Sequence, residues 1–132
     1  AAWLAEAESA REGRRGSRRG GPVRTFVFDE VDAGVSGATA EAVERKLRAL
    51  AAREQVLVVT HLPQVAAAGD RHLSVRKDVS GGRTRTVVTS LDEKGRVEAI
   101  AALLAGASVT DAARRQARQL LASAADAARA GA

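Results

Sequence analysis

The stretch TFVFDEVDAGVSG at Thr25–Gly37 decides the fold. Val23–Phe28 is a short, continuous run of apolar and β-branched residues, the pattern of a strand buried on both faces. It runs straight into two acids, Asp29 and Glu30, and a Gly-containing turn follows. Ala38–Arg53 then carries helical spacing, with Ala42, Val43, Leu47, Leu50 and Ala51 on one side and Arg45, Lys46 and Arg48 towards solvent. A second apolar run, Gln55–Thr60, opens VLVVTHLPQVA at Val56–Ala66 and ends at Thr60-His61. Strand, helix and strand make a βαβ unit, whose crossover is almost always right-handed, so the two strands should lie parallel. Asp29-Glu30 and Thr60-His61 then share the carboxyl edge of neighbouring strands, where ligands bind in an open α/β sheet.

An apolar strand that delivers Asp and then Glu has a physical use. The first carboxylate can hold Mg²⁺, usually through water, because that ion keeps several waters and takes few protein ligands. The second can orient and deprotonate a water for in-line attack on a γ-phosphate. A histidine at the next strand end can donate a hydrogen bond to that phosphate and sense its loss. The competing reading makes Asp29 and Glu30 the start of a surface turn and His61 an ordinary exposed histidine. What tips the balance is that two independent motifs land on one edge. His72 has no such context and reads as a strand residue.

Outward from this unit, residues 1–12 (AAWLAEAESARE) have helix-forming composition and read as the last turns of a helix. Residues 13–22 (GRRGSRRGGP) read as a solvated connector. Leu62–Ala68 reads as one short helix opened by Pro63, which suits a first turn. His72–Asp78 and Arg83–Leu91 alternate apolar and polar residues around Ser80-Gly81-Gly82, which predicts a β-hairpin with one face exposed. Arg96–Leu104 predicts a short helix stopped at Gly106, and Thr110-Asp111 can cap a final helix over Ala112–Arg129.

At 132 residues, with 45% hydrophobic content but only 2% aromatic, the chain can build one domain whose core comes from Val, Leu and Ala. It has no cysteine, which excludes disulfides and thiolate zinc sites and fits a reducing cytoplasm. Its apolar runs are far short of the ~20 residues a membrane-spanning helix needs. The net charge of +5 has one source: residues 11–24 hold six arginines against Glu12, and the remaining 15 basic and 15 acidic residues balance. Such an arm can bind nucleic acid phosphates in a salt-dependent way, or it can be a plain linker. Without interleaved aromatics it has nothing on which to stack bases.

FVFDEVDAGVSG followed by VVTHLPQVA resembles the C-terminal part of the RecN family of bacterial DNA repair proteins, relatives of the SMC and ABC ATPases. VDAG after the acids is SMC-like, and Thr60–Ala66 (THLPQVA) is the most specific piece. The likeness covers roughly residues 23–125, including LDEKGRVEAIAALLAG at Leu91–Gly106. It implies an α/β fold: part of a P-loop NTPase head, with parallel strands flanked by helices, a β-hairpin and C-terminal helices. Residues 25–132 would be the head segment, and residues 1–24 a helix end and linker. Asp29 would be the Walker B magnesium ligand, Glu30 the catalytic carboxylate and His61 the switch histidine. Val31–Ser36 would be the D-loop, with Asp32, Ala33, Gly34 and Ser36 facing a second ATPase head in an ATP-dependent dimer.

The same resemblance implies ATP and Mg²⁺ as cofactors, DNA as a partner of the full protein, and double-strand-break repair at the nucleoid, with no membrane role. This sequence contains no GxxxxGK[ST] run to cradle phosphates, so the expectation is part of an ATPase that is inactive alone. Another SMC or ABC head, or a non-catalytic module that uses its Arg-Gly arm, are the alternatives. In this ATPase class the Walker A strand borders the switch-histidine strand. Gln55–Thr60 is therefore expected to have an open edge, covered by the hairpin or by another copy, or else to leave the chain marginally stable.

Overall fold

The computed structural model describes residues 2–7, 23–29, 37–106 and 108–130. Strand β1 spans Ala2–Ala7, β2 Thr25–Asp29 and β3 Gln55–Thr60, with helix α1, Gly37–Ala51, between the last two. Helix α2 (Pro63–Ala67) leads into strands β4 (Arg71–Ser80) and β5 (Arg83–Ser90), and then into helices α3 (Glu93–Ala105) and α4 (Asp111–Ala130). The strands form one sheet in the order β2-β3-β1-β4-β5. β2 and β3 pair in parallel, from Thr25 opposite Gln55 to Asp29 opposite Val59, as the βαβ reading requires.

Local chemistry accounts for most boundaries. Pro63 opens α2 at its first turn, where a missing N–H costs nothing. Asp92 caps α3 by accepting a hydrogen bond from the Gly95 N–H at 2.7 Å, and Gly106, at φ +70°, ends it. Thr110 Oγ1 accepts from the Ala113 N–H at 3.2 Å and starts α4. The β4–β5 turn holds Gly81 and Gly82 at φ +57° and +74°, the mirror-image turn that matches strand twist and that side-chain-bearing residues resist.

The core lies between the sheet and the helices and is built from small residues. Val56, Val58 and Val65 pack with Phe28, Leu47 and Leu50 beneath α1. Ile100, fully buried, packs with Ala66, Ala67, Ala101, Ala113 and Ala117 where α2, α3 and α4 meet. His72 is indeed a strand residue, on β4, and it is 4% exposed.

Three expectations need correction. Residues 2–7 are strand, not helix: β1 pairs antiparallel with β3 on one side and with β4 on the other. Alanine's helix preference is weak, a few tenths of a kcal/mol per residue over most alternatives. A slot offering backbone partners on both sides outweighs it. The edge of β3 is therefore covered by the chain's own N-terminal segment, and neither by the hairpin nor by a second copy. Finally, β2 is not buried on both faces. It is an edge strand whose exposure alternates, and Val27, on the side away from α1, is 68% exposed. The Arg-Gly stretch at residues 13–22 lies outside the described residues.

Candidate functional site

The two candidate strand ends are held level by contacts at their beginnings. The Arg24 backbone N–H donates to Glu54 Oε2 at 2.8 Å, and its guanidinium donates to Glu54 Oε1 from Nη2 at 2.7 Å and from Nε at 3.1 Å. The Gln55 N–H donates to the Arg24 carbonyl at 2.9 Å, and Thr25 Oγ1 donates to Gln55 Oε1 at 2.6 Å. A one-residue slip would send every side chain to the opposite face, so this latch fixes which residues emerge together at the far edge. Those residues are Asp29 on β2, opposite Val59, with Thr60 at the end of β3 and His61 just after it.

Thr60 is buried, and its Oγ1 accepts a hydrogen bond from the Leu62 N–H at 3.0 Å. That bond turns the chain immediately after the strand, and Leu62 stays extended before Pro63 begins α2. His61 is thereby held, exposed, in a short link between two fixed elements. Asp29 is exposed as well. A carboxylate and an imidazole thus end neighbouring parallel strands on one rim of the sheet. Glu30, Asp32, Ala33, Gly34 and Ser36 lie outside the described residues. Gln64 sits half-buried in α2.

A cavity of about 700 Å³ lies elsewhere, among α1, the α2–β4 link, α3 and α4. Its polar lining includes Arg48, Asp70, Arg96 and Arg118. The link residues Gly69 and Asp70 precede β4 at the amino edge of the sheet, opposite the rim that carries Asp29 and His61. The cationic groups there tie the helices together. Arg48 Nη2 donates to the Ala124 carbonyl at 2.8 Å, and Arg96 Nη2 to the Gly69 carbonyl at 2.6 Å. Burial pushes the Asp70 carboxyl up, against the pull of Arg48 and Arg96, and burial lowers the Arg96 guanidinium. No motif marks these residues in the sequence, since what joins them is the docking of helices far apart in the chain.

No family model matches this sequence. Curated relatives do. The DNA repair protein RecN of Bacillus subtilis is 46% identical over 99 residues, which is 75% of this chain and 17% of the relative. RecN of Streptomyces coelicolor is 49% identical over 100 residues, 76% of this chain and 18% of the relative. RecN of Deinococcus radiodurans is 48% identical over 103 residues, 78% of this chain and 18% of the relative. The chain thus spans less than a fifth of the length of the curated relatives it matches. Over three quarters of its own length, this chain is a relative of the C-terminal part of the DNA repair protein RecN.

Proposed function

We propose that residues 25–132 are the C-terminal segment of a RecN-like ATPase head of the SMC and ABC type, a partial P-loop NTPase that acts in repair and recombination at DNA double-strand breaks. The observation that carries this reading is the shared rim: Asp29 and Thr60-His61 end two hydrogen-bonded parallel strands. Asp29 suits the magnesium role, because one exposed carboxylate is the kind of donor that a water-keeping ion accepts. With the ion bound there, the chemistry supplied is neutralisation of charge on phosphate oxygens. Glu30, next in the chain, orients and deprotonates the attacking water. His61 donates a hydrogen bond to the terminal phosphate, and its place between Thr60 and the start of α2 limits how far it can stray.

Val31–Ser36 form the loop that meets a second head, so that ATP closes the pair and hydrolysis releases it. DNA is the partner of the complete protein, in the bacterial cytoplasm at the nucleoid. No helix among the described residues is long and apolar enough to cross a membrane. Phosphate-cradling amides must come from sequence that this chain does not contain, and the chain alone is inactive.

The test is Glu30→Gln in a complete RecN that carries this segment. Hydrolysis should fall by the ~10²–10⁴-fold typical of losing a general base, while ATP still pairs the heads. Unchanged turnover would remove Glu30 from the role and this reading with it.

A further inference from the structure

The balance of charge outside residues 11–24 conceals a local excess. Residues 76–90 carry Arg76, Lys77, Arg83 and Arg85 against Asp78 alone, a surplus of 4 − 1 = 3. The rest of the chain outside the arm holds 11 basic and 14 acidic residues. Every residue from Arg76 to Ser90 is exposed, so this half of the β4–β5 hairpin stands clear of the helices as a two-stranded ribbon. Its register, with Arg76 opposite Val87, Asp78 opposite Arg85 and Ser80 opposite Arg83, puts all three arginines on one face. Arg83 and Arg85 are two residues apart, about 7 Å along the strand, and Arg76 lies on the diagonal from Arg85, about 7–8 Å away. Asp78 offsets one of the three. Thr84, Thr86 and Lys77 alternate onto the other face.

We propose that this ribbon is a contact for duplex DNA, with Arg76, Arg83 and Arg85, on one face, on phosphates. The exposed cationic face matches a polyanion, and the major groove of B-DNA admits a two-stranded ribbon. The ribbon has no aromatic side chain on which to stack unpaired bases, which favours duplex over single strand. The choice of DNA over other polyanions rests on the DNA-repair reading; the surface itself does not depend on the chemistry at the strand ends.

The experiment compares the whole chain with Arg76→Ser/Arg83→Ser/Arg85→Ser and with a control, Arg45→Ser/Lys46→Ser/Arg115→Ser, which removes the same charge from exposed helix positions. Affinity for a 30-base-pair duplex is measured from 0.05 to 0.3 M salt. Each lost phosphate contact lowers the slope of log affinity against log salt by about 0.9, so the ribbon variant should lose about 2–3 in slope. That corresponds to roughly 10²-fold in affinity at 0.1 M salt. The control should lose far less, and Lys at the three ribbon positions should restore most of the binding.

Equal losses in ribbon and control variants would mean diffuse attraction and would overturn the proposal. DNA binding that ignores the ribbon variant would also overturn it, whether the ribbon serves an acidic protein or nothing; in that case the DNA-repair reading stands. Thermal melting of each variant separates a lost contact from a lost fold.

Discussion

Acid should destabilise this protein through His72, and the size of the effect can be worked out. His72 is 4% exposed on β4, with Nε2 against the Ala66 carbonyl. Burial, with the nearby Arg96 guanidinium as the second cause, lowers its pKa from 6.5 to about 4, and the hydrogen bond to Ala66 only partly opposes them. The folded form therefore keeps the ring neutral, with Nε2–H donating to the carbonyl, while the unfolded chain takes up a proton at the ordinary value. With a depressed folded pKa, the contribution is complete above pH 6.5 and is lost as pH falls towards 4. Integrating between the two values gives a loss of about 1.4 kcal/mol at pH 5.5 and about 2.5 kcal/mol at pH 4.5, with a limit near 3.4 kcal/mol. For a small domain worth about 5–15 kcal/mol, that is a large share.

Urea titrations followed by far-UV circular dichroism at pH 7, 5.5 and 4.5 would measure it, with His72→Gln as reference. Glutamine retains an N–H for the Ala66 carbonyl but does not titrate. Asp70, whose carboxyl burial raises, works in the opposite direction as pH falls, yet it is common to both proteins and drops out of the difference. The gap between wild type and variant should narrow or invert by about 2.5 kcal/mol between pH 7 and 4.5. A gap that does not change with pH, or an imidazole whose NMR signal titrates near 6.5, would refute the reasoning.

Ile100→Ala should cost about 2–5 kcal/mol, in the upper half of that range, because the alanines around Ile100 have little side chain with which to fill the space. A shift in the urea midpoint equivalent to less than about 1 kcal/mol would show that α3 and α4 collapse onto the gap. Deleting residues 1–22 removes β1 and strips paired backbone from both β3 and β4. Light scattering on the deleted chain should reveal oligomers or aggregates. A monomer that melts at the same temperature would mean that the slot needs no strand.

The βαβ unit was legible because it is local: two β-branched runs flank an amphipathic helix, and handedness leaves one arrangement. The hairpin was legible for the same reason, with Ser80-Gly81-Gly82 marking its turn, although its outer half is exposed on both faces rather than on one. The same reasoning places Asp29 and His61 on one rim, and the Arg24–Glu54 latch levels the two strands. Residues 2–7 were not legible as strand, because nothing in AWLAEA asks for one. The demand comes from β3 and β4, about fifty residues or more away in the chain, and their pairing potential outweighs composition. The partial exposure of β2 escaped for a related reason. VRTFVF is the same string whether a sheet is covered on one face or on both.

The direction of β1 bears on what the rim that carries Asp29 and His61 lacks. β1 runs antiparallel to β3, so it brings its beginning, Trp3 opposite Thr60, to the edge where Asp29 and His61 sit. A strand parallel to β3 would instead deliver its carboxyl end there. The loop and helix that follow such a strand present unsatisfied backbone N–H groups, the usual cradle for phosphate. β1 satisfies the hydrogen bonds of β3 and β4 without supplying that cradle. Sheet integrity and phosphate binding are thus separate demands on one slot, and the N-terminal segment meets the first of them. Under the proposed ATPase reading, the phosphate-holding part that the carboxylate and imidazole on this rim would need is one that a differently directed strand would have to bring.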